Sequence, residues 1–578
     1  MTLTPEKLLA GVLAPLFALR GENDLGIGDV GALREFVDWA AEIGFGVVQL
    51  LPINETGNDN SPYNAISSVA LDPTTIEIAA VEDLSAADRH ELIQGVDLDA
   101  MRAGSVDYPA VKALKRALLR RAFENFSAGS WKKNDKRARL FRSFTREKQA
   151  WLEPYALFRV LMELNGNTER WDLWPESQRT AAHARVWLAA QTPKRRREIE
   201  GEIRFVMFVQ WVVWTQWLEL KRYAESRHVA LMGDVPFGVS YYSADVFGSP
   251  ELFDHRWSGG APPEPLFKDD AFTCKWGQNW GVPLYDWERM QADDFAWWRQ
   301  RVRMVRDVFD LFRIDHVLGF FRIYGFPWRP QRNAEFLPLT PEEVQALTGG
   351  EVPRFQPFAD DTAEHKLFNQ HQGERFLRVL LEETGQFRLV GEDLGTVPDY
   401  VRPSLLSLQI PGFRIPVWET ESEGTLVEGA RYDRLSVATF ATHDHEPLRA
   451  SWERWMQIIE EALHEPELAA ARDCAWWEAR RLAAWAGFEV PHLLPFEAVH
   501  ERLLGALFAT QSWIAICMIT DLFATTQRFN VPGAVAESNW SQRLAGSISD
   551  WKRDAARCAS MQAVRAALKA AGRVEAAG

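Results

Sequence analysis

Asp315 stands two residues after Arg313 and one before His316, at the end of the apolar run that opens with Leu311 and Phe312. A carboxylate there is costly to bury without an opposite charge, and strand alternation puts residues 313 and 315 on one face. The pattern recurs: Val229 to Pro236 contains Asp234, Phe387 to Asp393 reaches Glu392, and Leu435 to Asp444 ends in His443 and Asp444. One such acid reads as a helix cap or an arginine partner. Four together suit a closed barrel whose strands deliver them to one pocket at their C-terminal ends. Paired carboxylates, with no Walker sequence, dinucleotide fingerprint or clustered metal ligands, point to acid-base and nucleophilic carboxylate chemistry. Glycosyl transfer uses such pairs. In its retaining form one ionised carboxylate attacks the anomeric carbon and a second, still protonated, releases the leaving oxygen, the two lying about 5 to 5.5 Å apart. Arg313 is placed to keep Asp315 ionised. Glu392, preceded by Gly391 and apolar residues, is placed to keep its proton. A third acid can hold sugar hydroxyls.

The elements that must position these groups are legible around them. Phe295 to Phe312 carries Val302, Val305, Val308 and Phe309 at helical spacing, so a helix leads into the Asp315 strand. Leu33, Phe36, Val37 and Ala40 predict a helix over Val30 to Ile43, closed by Gly44 and followed by a strand toward Pro52. Gly11 to Phe17 is expected as the first strand rather than the core of a leader peptide, and Ile514 to Ile519 as the last. Helix and strand alternating in this way predicts a (β/α)8 barrel. From about residue 81 to 202 the chain turns charged and rich in Ala and Arg, without strands, which predicts a helical insertion. The barrel is then expected from residues 1–80 and 203–578, with long substrate loops at about 240–287, 320–374 and 527–540. Ser61-Pro62-Tyr63 lies in a loop of Asn, Asp, Gly and Ser and is a candidate substrate contact. Trp214 and Trp217 sit in an apolar stripe that reads as core.

Composition narrows the partners. The 578 residues carry a net charge of −15, and the densest basic run, Lys194 to Arg197, is followed by Glu198 and Glu200 and reads as a solvated face. No nucleic-acid face is expected. No run approaches the roughly 20 apolar residues of a membrane span. The four cysteines are dispersed, which suits a reducing cytoplasm and neither a zinc ribbon nor a disulfide framework.

Arg313-Ile-Asp-His316, Glu392-Asp-Leu-Gly395, Thr442-His-Asp444, Gly233-Asp-Val-Pro236, Gly277-Gln-Asn-Trp-Gly281 and Asn530-Val-Pro-Gly533, in this order, resemble the motif set of the amylomaltases, the 4-α-glucanotransferases of glycoside hydrolase family 77. The resemblance runs from Leu25 to Trp540 and implies a (β/α)8 barrel with inserted subdomains and no C-terminal β-sandwich. It implies no cofactor and no metal. Asp315 is then the expected nucleophile, Glu392 the general acid/base and Asp444 the transition-state stabiliser. Tyr63, Asp234, Gln278, Trp280, Arg313, His316, His443, Asn530 and Gly533 are expected to bind the reacting sugar or orient the acids. Segments 259–264 and 527–533 correspond to loops overhanging the acceptor side. The partners implied are α-1,4-glucans and maltooligosaccharides as donor and acceptor, for a monomer or homodimer. After Asp444 this chain reads His445-Glu-Pro-Leu-Arg449, similar to the enteric-bacterial and plant cytosolic branches of the family.

Three other readings compete. A net α-1,4-glucan hydrolase would use the same acids. A metal-dependent barrel hydrolase matches the His443-Asp-His445 spacing but needs further ligands nearby. A non-catalytic glucan-binding protein would be expected to lack at least one of the acids, and all are present.

Overall fold

The computed structural model describes residues 3–264, 270–421, 424–532 and 538–574. Among the described residues twelve strands appear in chain order: β1 (Leu9–Leu13), β2 (Val47–Gln49), β3 (Ala230–Val235), β4 (Phe253–Ala261), β5 (Gln278–Tyr285), β6 (Leu311–Ile314), β7 (Ile323–Phe326), β8 (Arg354–Gln356), β9 (Leu389–Gly391), β10 (Gly412–Arg414), β11 (Ser436–Ala438) and β12 (Ile514–Met518). Eight of them pair in the order β10-β11-β12-β1-β2-β3-β6-β9, every contact parallel. The Gly391 N–H donates to Pro411 O at 3.0 Å and draws the two ends of the sheet together. The result is a (β/α)8 barrel.

Alternation along the strands explains why its top is charged. Leu9, Val47, Ala230, Met232, Leu311, Val390, Phe413, Val437, Ile514 and Ile516 form one apolar cluster inside the ring. On β3 the next residue of the Ala230, Met232 series is Asp234; on β6 Leu311 is followed by Arg313 and then Asp315; on β9 Val390 is followed by Glu392. The interior therefore passes from hydrocarbon to charge along the strand direction. The opposite faces pack outward, Phe312, Ile314 and Leu389 joining a second cluster with Val317 and Leu405.

Each layer of helices follows from its apolar stripe. Helix Val30–Ile43 forms as its spacing predicts, with the Asp29 carboxylate accepting from the Gly31 and Ala32 N–H groups at its start and Gly44 in the left-handed region at its end. Helix Ala296–Val308 leads into β6. Trp214 and Trp217 are buried in the core. Between residues 81 and 202 lie helices Ala86–Ile93, Leu98–Ala103, Tyr108–Phe126, Lys136–Glu147, Gln149–Leu164 and Ala181–Ala189. The next helix, Pro193–Ser226, runs unbroken through residue 202 into β3, so the division expected there falls inside one continuous element. Among the described residues no helix is long and apolar enough to cross a membrane.

The segments expected as long loops at 240–287 and 320–374 are largely ordered secondary structure. They supply β4, β5, β7 and β8, an antiparallel sheet in the order β5-β4-β7-β8 beside the barrel mouth. Gly259 and Gly260, read as loop glycines, lie in β4. A Cβ on Gly260 would stand 1.9 Å from Gln278 O, so the glycine admits the neighbouring strand rather than supplying a flexible turn. A second correction concerns β11, which stops at Ala438. Asp444 is thus carried on the loop beyond the strand, where a turn closed by the His445 N–H on Thr442 O sets its position.

Close packing behind the charged layer gives a stability test. A Cβ on Gly233 would sit 2.3 Å from the Phe309 ring. Phe309 is buried, so Gly233→Ala is expected to cost about 1–3 kcal/mol by overpacking. Urea unfolding should show a lower midpoint with unchanged slope. An unchanged midpoint would mean that the ring moves aside freely.

Candidate active site

The barrel mouth opens into a cleft of about 850 Å3. Tyr63, Gln278, Trp280, Arg313, Asp315, His316, Glu392, His443, Asp444 and Asn530 all line it. Asp234 lies one layer below. Gly533 falls outside the described residues. Residues separated by up to several hundred positions in sequence are thereby brought to one surface.

At its floor is an ion-paired triad, with Asp234 and Arg313 buried and Asp315 partly exposed. Arg313 Nη1 donates to Asp234 Oδ2 at 2.6 Å and Arg313 Nη2 reaches Asp315 Oδ1 at 2.8 Å. Asp234 and Arg313 are register partners on β3 and β6, so the sheet itself aligns them. Burial works against the guanidinium charge, but the two carboxylates outweigh it and hold Arg313 well above its ordinary pKa. Removing one partner of a buried pair typically costs about 3–5 kcal/mol, so the triad is scaffold as well as electrostatics. Tyr63 OH donates to the same Asp234 oxygen at 2.8 Å. Asp234 Oδ1 is buried and has no hydrogen-bond partner among the described residues.

Asp315 and Glu392 each follow their strand by one residue. The paired register Ile314 to Gly391 on β6 and β9 continues through the Glu392 N–H on Ile314 O at 3.0 Å. The two acids therefore stand opposite one another on adjacent strands, whose spacing is about 4.8 Å. Their surroundings differ. Asp315 remains 28% exposed at its side chain and is held by Arg313. Glu392 accepts the His316 N–H at 2.7 Å, and burial pushes its carboxyl up to about 8 against the pull of Arg313. His316 adopts φ 47°, the left-handed turn that aims its amide at Glu392. Burial also pushes its imidazole down to about 4, so the ring is neutral at physiological pH. The ring meets Trp280 edge to face at 4.9 Å between centroids.

Asp444 faces them from the third side. Asn530 Nδ2 donates to its Oδ1 at 2.6 Å and His443 Nε2 lies 3.2 Å from its Oδ2. Burial opposes its charge, yet His443, Asn530 and Arg313 together hold its pKa below the usual carboxylate range. His443 stacks on Tyr63, centroids 4.8 Å apart and planes 10° from parallel. Trp540 packs against both rings. Trp280, 41% exposed, presents its indole to the cleft and donates through Nε1 to Gln278 Oε1 at 3.2 Å.

Three contributors were not singled out as site residues from sequence. Arg528 Nη2 donates to Asp444 O at 2.9 Å. Trp540 backs the Tyr63–His443 stack. Trp418, 48% exposed, lines the cleft beside His445. Arg528 lies two residues before Asn530, a proximity that could have flagged it; Trp418 ends the single 3-10 turn Pro416–Trp418 and Trp540 sits in a turn, where periodicity offers no guide.

This cleft carries two carboxylates in contrasting environments on neighbouring strands, with a third held ionised by hydrogen bonds. The family model described as 4-alpha-glucanotransferase of the glycoside hydrolase 77 group matches residues 14–549. The chain belongs to that family. A 4-alpha-glucanotransferase of Chlamydia pneumoniae is 29% identical over 561 residues, covering 93% of this chain and 92% of that protein. One from Aquifex aeolicus is 29% identical over 550 residues, covering 93% and 95%. The amylomaltase of Streptococcus agalactiae, solved in complex with acarbose, superposes with a TM-score of 0.73 at 24% identity over 98% of this chain and all of that one, and shows the shared fold. For a 4-alpha-glucanotransferase family member, the three acids and their neighbours form a connected site on β3, β6 and β9 and the loops that follow β11 and β12. Among the described residues, no group of three or more His, Cys, Asp or Glu side chains is arranged to hold a metal ion.

Proposed function

We propose that this family member moves α-1,4-glucan segments from a donor maltooligosaccharide to the 4-hydroxyl of an acceptor by a retaining double displacement. The observation that carries the reading is the pairing of Asp315, ion-paired to Arg313, with Glu392, whose pKa is raised to about 8, on adjacent strand ends. A strand spacing of about 4.8 Å suits the 5 to 5.5 Å carboxyl separation of retaining enzymes.

Each step has an owner. Glu392 gives its proton to the glycosidic oxygen as an Asp315 carboxylate oxygen attacks the anomeric carbon, and the shortened donor leaves with its new 4-hydroxyl. A glycosyl ester on Asp315 results. Arg313 holds the nucleophile in place, and Asp444, fixed by His443 and Asn530, offers negative charge to the oxocarbenium-like transition state. Glu392, now ionised, takes the proton from the acceptor hydroxyl as that oxygen displaces Asp315. Asp234 holds Arg313 and Tyr63 in place from beneath, and Trp280 and Tyr63 cover the ring faces. Water competes at the second step. The end of β4 with the residues that follow it (260–264) and segment 528–532 line the cleft from two sides, and their contacts let acceptor binding rather than water complete the attacking geometry. The cysteines at 474, 517 and 558 are free thiols, which supports a cytoplasmic location.

Maltotriose as sole substrate tests the reading. Glucose together with a ladder of maltooligosaccharides longer than the substrate is the expected result. Glucose and maltose alone would mean that water is the acceptor and that transfer is not the function.

A further inference from the structure

Beside the cleft lies a second chamber of about 570 Å3. The two share Trp418 and His445, which form the partition between them. Both are held in place from the catalytic loop: His445 Nδ1 lies 2.8 Å from Thr442 Oγ1, and its ring meets Trp418 at 4.9 Å between centroids and 68° between planes. Beyond the partition, helices Leu448–Glu461 and Ala469–Trp485 form the walls. Half-buried Trp455 is supported by buried Trp452, whose Nε1 donates to Leu494 O at 2.9 Å. The polar groups come as matched pairs, Glu446 with Arg454 at 2.8 Å and Glu478 with Arg481 at 2.6 Å.

An aromatic face beside paired donors and acceptors is the complement of a glucose ring, apolar on its CH face and hydroxylated at its rim. An apolar occupant would strip water from both ion pairs and supply nothing in return, whereas hydroxyls both donate and accept. Continuity with the cleft names the source of the ring.

We propose that the chamber is a remote subsite for α-1,4-glucan chains too long for the cleft, led past Trp418 and stacked on Trp455. The inference rests on the glucan-transfer reading of the cleft and extends it to chain-length preference. In the full-length chain, Trp455→Ala is expected to raise KM for maltoheptaose about tenfold with kcat unchanged, the loss of one stacking contact, while leaving maltotriose kinetics as they were. Equal changes for both substrates, or none for either, would overturn the subsite and leave the cleft reading intact. An unmodified chain unable to disproportionate maltotriose overturns both. Independently of how that variant folds, exposed Cys474 lines the same chamber. In the Asp315→Asn chain, alkylation of Cys474 followed by peptide mass spectrometry should be slowed by maltoheptaose and not by maltotriose. Equal alkylation rates with the two sugars would overturn the proposal.

Discussion

Asp315→Asn is expected to lower kcat for maltotriose by about four or more orders of magnitude, the scale seen when a covalent nucleophile is removed from an enzyme. The amide is nearly isosteric but carries no charge, so Arg313 keeps one ionic partner in Asp234 while the anomeric carbon loses its attacking oxygen. Glucose release and ladder formation should vanish together, because both begin with the same glycosyl-enzyme. The variant should still fold, since Asp315 is partly exposed whereas Asp234 and Arg313 are buried. Near-normal turnover in a folded Asp315→Asn chain would remove Asp315 from the mechanism. Selective loss of the ladder, with hydrolysis retained, would make it an acceptor-binding group instead.

Glu392→Gln should separate the two halves of the reaction. Loss of general acid assistance is expected to cost about 10^2–10^4 in kcat with maltotriose, whose leaving group needs a proton. A maltooligosaccharyl fluoride needs none, so its first step should proceed while the second stalls. The pH profile gives the complementary sign. Glu392 must be protonated to start the reaction and burial pushes its carboxyl up to about 8 in the unliganded chain, so kcat/KM of the unmodified chain should fall as pH rises through that region. In Glu392→Gln the residual activity should lose this alkaline limb. An alkaline limb that survives the substitution would assign that titration to another group.

Much of this arrangement is legible in the sequence because strand chemistry is local. An apolar run ending in Asp or Glu reports both the strand and the end at which its side chain emerges, and alternation alone puts Arg313 on the face of Asp315. Four of the barrel strands, β3, β6, β9 and β11, are readable in this way, and three more, β1, β2 and β12, as apolar runs without that ending. The eighth, β10, was not: Gly412–Arg414 is three residues long and is bracketed by Pro411 and Pro416, which read as loop. The antiparallel sheet was hidden for a related reason. Strand β4 carries Gly259 and Gly260 and strand β5 carries Gly281 and Pro283, residues that punctuate turns when neighbours are unknown. Their role as close-approach points emerges only when Gln278 O is seen against Gly260. The position of Asp444 was also beyond local reading. Leu435 to Asp444 is apolar enough to be a strand throughout, but pairing stops at Ala438, and a turn anchored by Thr442 and His445 carries the acid onward.

The His445-Glu446 pair, distinctive in sequence and without an assigned task there, acquires one from its contacts. His445 braces Trp418, and Glu446 ties Ser451 and Arg454 of the following helix. The catalytic loop is thereby joined to the helical pair that walls the second chamber.

A covalent bond between sugar and Asp315 is the central event of the proposed reaction. Glu392→Gln, incubated with a maltooligosaccharyl fluoride, should accumulate one glycosyl adduct per chain by intact-mass spectrometry, and peptide mapping should place it on the Asp315 side chain. An adduct on a different carboxylate, or turnover of the fluoride with inverted anomeric configuration and no adduct, would contradict it.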